Sequence, residues 1–166
     1  SNRASRGEYA DLSGASLAKG LSALGYEVTG PHVVADSIDL ISEQLTLALA
    51  NKTRLIVTTG GTGVSPTDIT PEATEMVCDR IMPGFGEQMR SISLEFVPTA
   101  ILSRQIGGTR GQCVIFNLPG RPKAIRETID EIWRAVPYCV DLIGGPYIDM
   151  NDSVCQAFRP RESRRR

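Results

Sequence analysis

The sequence of 166 residues has little histidine, little cysteine and no excess of either charge. It holds one histidine, His32, and four cysteines that lie tens of residues apart without a Cys-x-x-Cys pair, which excludes zinc coordination of the usual finger type. There are 18 Lys and Arg residues against 19 Asp and Glu residues. Five of the basic residues fall within 159–166, so the preceding body is acidic, which argues against a domain that binds nucleic acid.

Long apolar runs are also lacking, and no stretch reaches the length that a membrane span requires. No secretory signal is visible, so we expect a cytoplasmic protein with reduced cysteines. The length and the hydrophobic content of 41% are those of one ordinary domain. We expect this domain to cover 1–158 and a solvated basic tail to follow over 159–166.

The spacing of apolar residues predicts alternating helices and strands. Repeats of three and four predict helices over 17–24, 38–49 and 125–132. Residues that favour β-structure predict strands over 26–34, 55–57 and 113–116, the last two buried on both faces. A further helix is expected with Thr70 as its N-cap, and Pro83-Gly84-Phe85-Gly86 is expected to break the chain before another. The alternation predicts a three-layer α/β domain with a mostly parallel sheet, in which ligands bind beyond the carboxyl ends of the strands.

A glycine-rich loop, Gly60-Gly61-Thr62-Gly63, follows the predicted strand over 55–57. Glycines let backbone N–H groups approach an anion closely, so the loop suits a phosphate. It matches neither the Walker pattern nor the Gly-x-Gly-x-x-Gly pattern of dinucleotide-binding proteins. A tight connection between a strand and a helix explains the same glycines equally well.

Two carboxylates stand at predicted strand ends. Asp36 and Asp68 could together hold a hydrated Mg²⁺ that neutralises a polyphosphate. The alternative role for each is a helix cap or a turn residue. This alternative is favoured for Asp36, which directly precedes a helix, and is weaker for Asp68.

The loop over 117–123 follows the third predicted strand. Arg121 and Lys123 place cations near a helix N-terminus, where anions are already favoured, so a phosphate or carboxylate ligand is again indicated. A solvated basic pair is the alternative. The roles of Ser103 and Arg104 stay open. His32 is interpreted as structural, because no candidate nucleophile lies near it in sequence.

Five motifs together resemble one protein family. They are Thr59-Gly60-Gly61-Thr62-Gly63, Asp68-Ile69-Thr70-Pro71-Glu72-Ala73, Pro83-Gly84-Phe85-Gly86-Glu87, Leu102-Ser103-Arg104 and Asn117-Leu118-Pro119-Gly120. In this order the chain resembles the molybdopterin adenylyltransferase family, which is related to the MoaB proteins and to the G domain of gephyrin. The resemblance implies a three-layer α/β fold, a homotrimer and a partner protein that inserts molybdate. It also implies a Mg²⁺-dependent transfer of AMP from ATP to the molybdopterin phosphate, with release of pyrophosphate. A non-catalytic molybdopterin-binding or scaffold module of the gephyrin type is the alternative.

The resemblance further implies which residues form the site. Asp68 and Asp36 would organise Mg²⁺ and the reacting groups. The nucleotide and the molybdopterin would contact Gly60, Gly61, Thr62, Gly63, Ser65, Asp11, Ser13, Gly14, Ser103, Asn117, Pro119, Gly120, Arg121 and Lys123.

The sequence departs from the family pattern in three places. The family opens with a hydrophobic strand that ends in Ser-Asp-Arg-Ala-Ser, whereas this sequence opens with Ser1-Asn2-Arg3-Ala4-Ser5. We therefore expect the first strand to be absent from this sequence. Asn2 replaces the aspartate, and Thr67 stands where the family has arginine, a loss that Arg121 is expected to offset in part.

Overall fold

A computed structural model describes residues 11–160 of the chain. The elements in order are α1 (Leu12–Ala23), α2 (Ile38–Ala50), β1 (Leu55–Thr59), α3 (Thr70–Val77), β2 (Arg80–Ile81), α4 (Pro83–Leu94), a 3-10 helix (Pro98–Leu102), β3 (Gly107–Arg110), β4 (Cys113–Leu118), α5 (Pro122–Trp133) and α6 (Val136–Leu142). The predicted helices at α1, α2 and α5 and the predicted strands at β1 and β4 are confirmed. Asn2 and the tail over 161–166 lie outside the described residues. Within 11–160, no helix is long and apolar enough to cross a membrane.

The fold has three layers, and β4 shows why. Val114, Phe116 and Leu118 are buried on one face of the sheet, against α1, α4, α5 and α6. Cys113 and Ile115 point to the opposite face and are buried against α2 and α3. Alternate residues of a strand point to opposite faces, so both faces of β4 are covered by helices, as predicted.

The sheet is mixed, so the prediction of a mostly parallel sheet is wrong for the described strands. Their order is β1-β4-β3-β2. β1 runs parallel to β4, with Leu55 opposite Val114, but β3 is antiparallel to β4 and β2 is antiparallel to β3. A tight turn at Gly111, which has φ +53°, joins β3 to β4. A connection this short joins only antiparallel strands.

Two predicted strands differ from the structure. β1 is half-buried along its whole length, because no strand within 11–160 pairs with its second edge. The segment over 26–34 forms no strand. Gly30 adopts φ +103° and Pro31 has no N–H to donate, and both features oppose a regular ladder.

Three local boundaries also needed correction. α4 begins at Pro83, so the predicted break is the first turn of a helix, a position that suits proline. Ile69 is the N-cap of α3, and Thr70 is its first residue. Arg159 is only 7% exposed, donates to the Asp141 carboxylate and does not belong to a solvated tail.

Candidate functional site

A cavity of about 950 Å³ opens along the carboxyl end of β1 and along its second edge, which pairs with no strand among residues 11–160. Its walls come from α1, the segment over 26–36, α2, β1 and the loops that follow β1 and β4. Eight of the predicted site residues, from separate stretches of the chain, line this one cavity: Asp11, Ser13, Gly14, Asp36, Gly60, Gly61, Asp68 and Gly120.

The glycine loop adopts a backbone that needs glycine. Gly60 has φ +88° and Gly61 has φ +64°, in the left-handed region. A Cβ on Gly61 would lie 2.3 Å from Thr70 Oγ1. Four consecutive backbone N–H groups in this loop have no acceptor within 11–160, and such a run favours an anion cradle over a simple tight connection. These N–H groups belong to Gly61, Thr62, Gly63 and Val64.

Asp68 both shapes the loop and lines the cavity. Its Oδ2 accepts a hydrogen bond from the Ser65 N–H at 2.9 Å, which closes a turn. A Cβ on Gly63 would lie 2.8 Å from the same oxygen. Asp68 Oδ1 has no hydrogen-bond partner in the described part of the chain. The turn-residue role considered above is therefore real, and one carboxylate oxygen is still available.

Asp36 is not the N-cap residue of α2. Ser37 holds that position, and its side chain makes no capping hydrogen bond. Asp36 instead lines the cavity together with Asp68. Residues 11–160 contain no cluster of three or more His, Cys, Asp or Glu side chains able to hold a metal. Two carboxylates do suit Mg²⁺, which usually keeps several waters and binds substrate phosphates.

The loop after β4 packs directly against the glycine loop. Ser13 Oγ donates to the Gly120 carbonyl at 2.7 Å, and Thr59 Oγ1 donates to the Pro119 carbonyl at 3.0 Å. A Cβ on Gly120 would lie 3.2 Å from Gly60 Cα, so a larger residue at 120 would force the loops apart. The family motifs of both loops thus meet each other and the predicted site residue Ser13 of α1 at one place.

Asp11 and Gly14 fix the N-terminus of α1. Asp11 is the N-cap, and its carboxylate accepts from the Gly14 N–H at 2.9 Å. A Cβ on Gly14 would lie 2.1 Å from Asp11 Oδ2. Asp11 and Gly14 therefore hold Ser13 against the loop after β4, besides bordering the cavity.

Asn117 is fully buried and supports the site from within the fold. Its Nδ2 donates to Thr58 Oγ1 at 2.8 Å and to Thr74 Oγ1 at 2.9 Å. Its Oδ1 is buried and has no partner within 11–160. Since Thr58 lies on β1 and Thr74 lies on α3, Asn117 joins the two elements that flank the glycine loop.

Eight predicted residues do not line the cavity: Thr62, Gly63, Ser65, Ser103, Asn117, Pro119, Arg121 and Lys123. The last two and Ser103 have other surroundings. Lys123 is 85% exposed and pairs with Glu127 at 3.6 Å. Arg121 is exposed at the N-cap of α5. Ser103 Oγ donates to Gln105 Oε1 at 2.7 Å. Their predicted ligand contacts stay predictions.

Sequence reasoning left out several residues that the structure places at the site. Glu72 was named only within a family motif, Gln105 was not considered, and the role of Arg104 was left open. Glu72 accepts a hydrogen bond from Arg104, which holds the pKa of the Glu72 carboxyl below its usual value. His32, interpreted as structural, is exposed and lines the cavity. The Leu102-Ser103-Arg104 motif was the one signal that pointed towards Arg104.

Fold and site together define a three-layer α/β protein in which backbone N–H groups without an acceptor within 11–160 lie beyond the carboxyl ends of two parallel strands. A family model described as a probable molybdopterin binding domain matches residues 1–138. The chain belongs to this family, which confirms the resemblance read from the motifs.

Relatives and solved structures agree with this assignment. The molybdopterin adenylyltransferase of Helicobacter pylori strain J99 is 50% identical over 166 residues, covering 98% of this chain and 94% of the relative. The molybdopterin adenylyltransferase of Escherichia coli K12 is 44% identical over 187 residues, covering 99% and 92%. The structure of the molybdopterin biosynthesis Mog protein from Mycobacterium ulcerans is 40% identical with a TM-score of 0.81, covering 86% of this chain and 93% of that one.

Proposed function

We propose that the protein is a molybdopterin adenylyltransferase of molybdenum cofactor synthesis, which transfers AMP from ATP to the terminal phosphate of molybdopterin. The observation that carries the proposal is the run of four N–H groups over 61–64 that have no acceptor in the described part of the chain, beside a cavity lined by Asp36 and Asp68. The names of relatives that are 44% and 50% identical support it.

The reaction needs positioning more than a side-chain nucleophile. An oxygen of the molybdopterin phosphate attacks the α-phosphorus of ATP, and the bond from that phosphorus to the oxygen shared with the β-phosphate breaks. Pyrophosphate leaves with the electron pair. Because the attacking oxygen is already anionic, no Ser, Cys or His is required to activate it. The chain carries a net charge of −1, so fixed N–H groups are a suitable source of attraction for two polyanions.

Asp36 and Asp68 would hold Mg²⁺ at this site. The ion supplies charge neutralisation on the phosphates when it is bound. Asp68 Oδ1 is available for this role, while Oδ2 keeps its hydrogen bond from Ser65. The two carboxylates would thus bind the metal ion, whereas the loop N–H groups would bind the substrate phosphates directly.

The test is to incubate the purified protein with molybdopterin, ATP and MgCl₂ and to measure adenylylated molybdopterin and pyrophosphate. Asp68→Asn is expected to lower kcat by about 100-fold or more, because it removes charge where the polyphosphate is neutralised. Asp152→Asn, an exposed position away from the cavity, is the matched control and should leave kcat unchanged. Full activity of Asp68→Asn would contradict the metal role. A wild-type protein that binds molybdopterin without forming product would be a scaffold module instead.

We also propose that the protein forms a homotrimer, a stoichiometry that rests on the resemblance. A continuous stretch from the end of α4 through the 3-10 helix exposes large apolar side chains, and such patches usually mark interfaces. They are Leu94, Phe96, Val97, Ile101 and Leu102. Light scattering should give three times the chain mass of 18.0 kDa, and Ile101→Glu should lower it. A wild-type mass of one chain would overturn this assignment.

The cytoplasm is the proposed location, and the proposed recipient of the product is a molybdate-insertion protein. All four cysteines are free, which fits a reducing compartment. Fractionation of cells that express the tagged chain tests the location. Affinity purification from the same cells, with molybdate-insertion activity as the readout, tests the partner.

A further inference from the structure

Arg104 donates hydrogen bonds to three backbone carbonyls of the loop after β1, although it does not line the cavity. Its backbone N–H donates to the Thr62 carbonyl at 2.8 Å, and its Nε donates to the Gly63 carbonyl at 2.7 Å. Its Nη2 donates to the Asp68 carbonyl, and its Nη1 pairs with Glu72. We propose that Arg104 is a positioning residue that aims the loop N–H groups at the substrate phosphates, an inference that rests on the proposed function.

The geometry of the peptide bond links these contacts to the anion cradle. In a planar trans peptide the C=O of one residue and the N–H of the next point in opposite directions. The carbonyls of Thr62 and Gly63 face Arg104, so the N–H groups of Gly63 and Val64 face away from it. Those two N–H groups belong to the run described above, which has no acceptor within the described residues. The same contacts that satisfy the carbonyls therefore orient these N–H groups.

The contact set requires a guanidinium group. Nε, Nη1 and Nη2 each donate to a different residue, and a planar fork holds these three directions fixed. The single nitrogen of lysine cannot reach all three acceptors from one position. Because each guanidinium nitrogen already has a protein partner, Arg104 acts through the loop and is not assigned to the substrate.

The neighbours of Arg104 anchor it to the core of the fold. Gln105 is 2% exposed, and its Nε2 donates to the Asn117 carbonyl at 3.3 Å. Arg90 Nη1 donates to the Ser103 and Gln105 carbonyls at 3.2 and 3.1 Å. The backbone on both sides of Arg104 is thus tied to α4 and to β4. The loop is held by a rigid part of the protein, as pre-organised binding requires.

The test compares Arg104→Lys with Arg110→Lys. Arg110 is a matched control, because it also pairs with an acid, Asp79 at 2.5 Å, but lies at the hairpin away from the cavity. Arg104→Lys is expected to weaken the binding of inorganic pyrophosphate in MgCl₂, measured by calorimetry, by about 10- to 100-fold. It should also speed hydrogen–deuterium exchange over 60–69. Arg110→Lys should change neither quantity.

Wild-type affinity in folded Arg104→Lys would overturn the inference, because a purely structural role lowers the melting temperature without changing the affinity of the folded protein. Should Arg104→Lys not fold, Glu72→Gln serves as the second variant. It leaves the loop carbonyls in place and is expected to weaken pyrophosphate binding less than Arg104→Lys. Unchanged pyrophosphate affinity and unchanged hydrogen–deuterium exchange in Glu72→Gln would contradict the positioning role of Arg104. Wild-type protein that binds pyrophosphate but forms no adenylylated product would refute the proposed function alone. Wild-type protein that binds no pyrophosphate would refute both.

Discussion

Replacing Gly61 with alanine tests whether the site depends on the backbone conformation of the glycine loop. Alanine at φ +64° costs about 1–2 kcal/mol in backbone strain. Its Cβ would also lie 2.3 Å from Thr70 Oγ1, an overlap that adds about 1–3 kcal/mol because the loop must shift. Gly111→Ala is the matched control, since Gly111 has φ +53° and no atom within 4 Å of a built Cβ.

Two measurements separate strain from function. For a chain of this size each kcal/mol lowers the melting temperature by about 2–4 °C, so Gly111→Ala should lose about 2–8 °C and Gly61→Ala should lose more. Only Gly61→Ala should also lose affinity for pyrophosphate, by up to about 100-fold, because a loop shift near 1 Å misplaces the N–H groups. Calorimetry and thermal unfolding on both variants measure these effects. Equal melting temperatures with unchanged pyrophosphate affinity would refute the backbone cradle.

Three further predictions concern single side chains. Arg121→Ala should weaken ATP or molybdopterin binding by roughly threefold to tenfold, and unchanged affinity for both would remove Arg121 from the site. The lowered pKa of Glu72, caused first by its hydrogen bond from Arg104, means that its stabilisation exists at neutral pH and is lost as the pH falls through the folded-state pKa. The difference in melting temperature between wild type and Glu72→Gln should therefore shrink towards pH 3, and a constant difference would contradict this. Burial raises the pKa of Cys113 to about 12 and that of Cys78 to about 11, so neither thiol should react with Ellman's reagent at pH 8 until denaturant is added. Rapid labelling of either in the native protein would show that burial does not protect it.

Local patterns were enough to predict the helices α1 to α5 and the glycine loop, but not α6 or the 3-10 helix. Leu17 and Leu21 repeat at helical spacing and are buried on one side of α1. The glycine loop was predicted at Gly60 and Gly61, and both residues adopt a positive φ there. In both cases the physical cause lies within a few residues: one helix face must be apolar, and one turn must admit a left-handed backbone.

Strand pairing was harder to predict because a strand depends on its partner. The segment over 26–34 contains Tyr26, Val28, Val33 and Val34, yet it forms no strand. β3 was not predicted as a strand, and it pairs antiparallel with β4 through a short turn, although β4 was assigned to a mostly parallel sheet. A propensity for β-structure indicates which residues suit a strand, but not which neighbour supplies the hydrogen bonds or in which direction that neighbour runs.

The sequence by itself, with no excess of either charge and no zinc-finger cysteine pattern, argued against nucleic-acid binding and a zinc site. Its apolar spacing and motifs determined the fold class, the family and the loop that suits an anion. Only the tertiary structure decided how that loop is held. Arg104 and Gly63 are 41 positions apart, and Ser13 and Gly120 are 107 apart. It also placed Arg159, which composition had assigned to a solvated tail, against Asp141 inside the fold. The physical reason is common to these pairs: hydrogen bonds and ion pairs depend on distances in space, and distant residues come within bonding range only when the core brings their elements together.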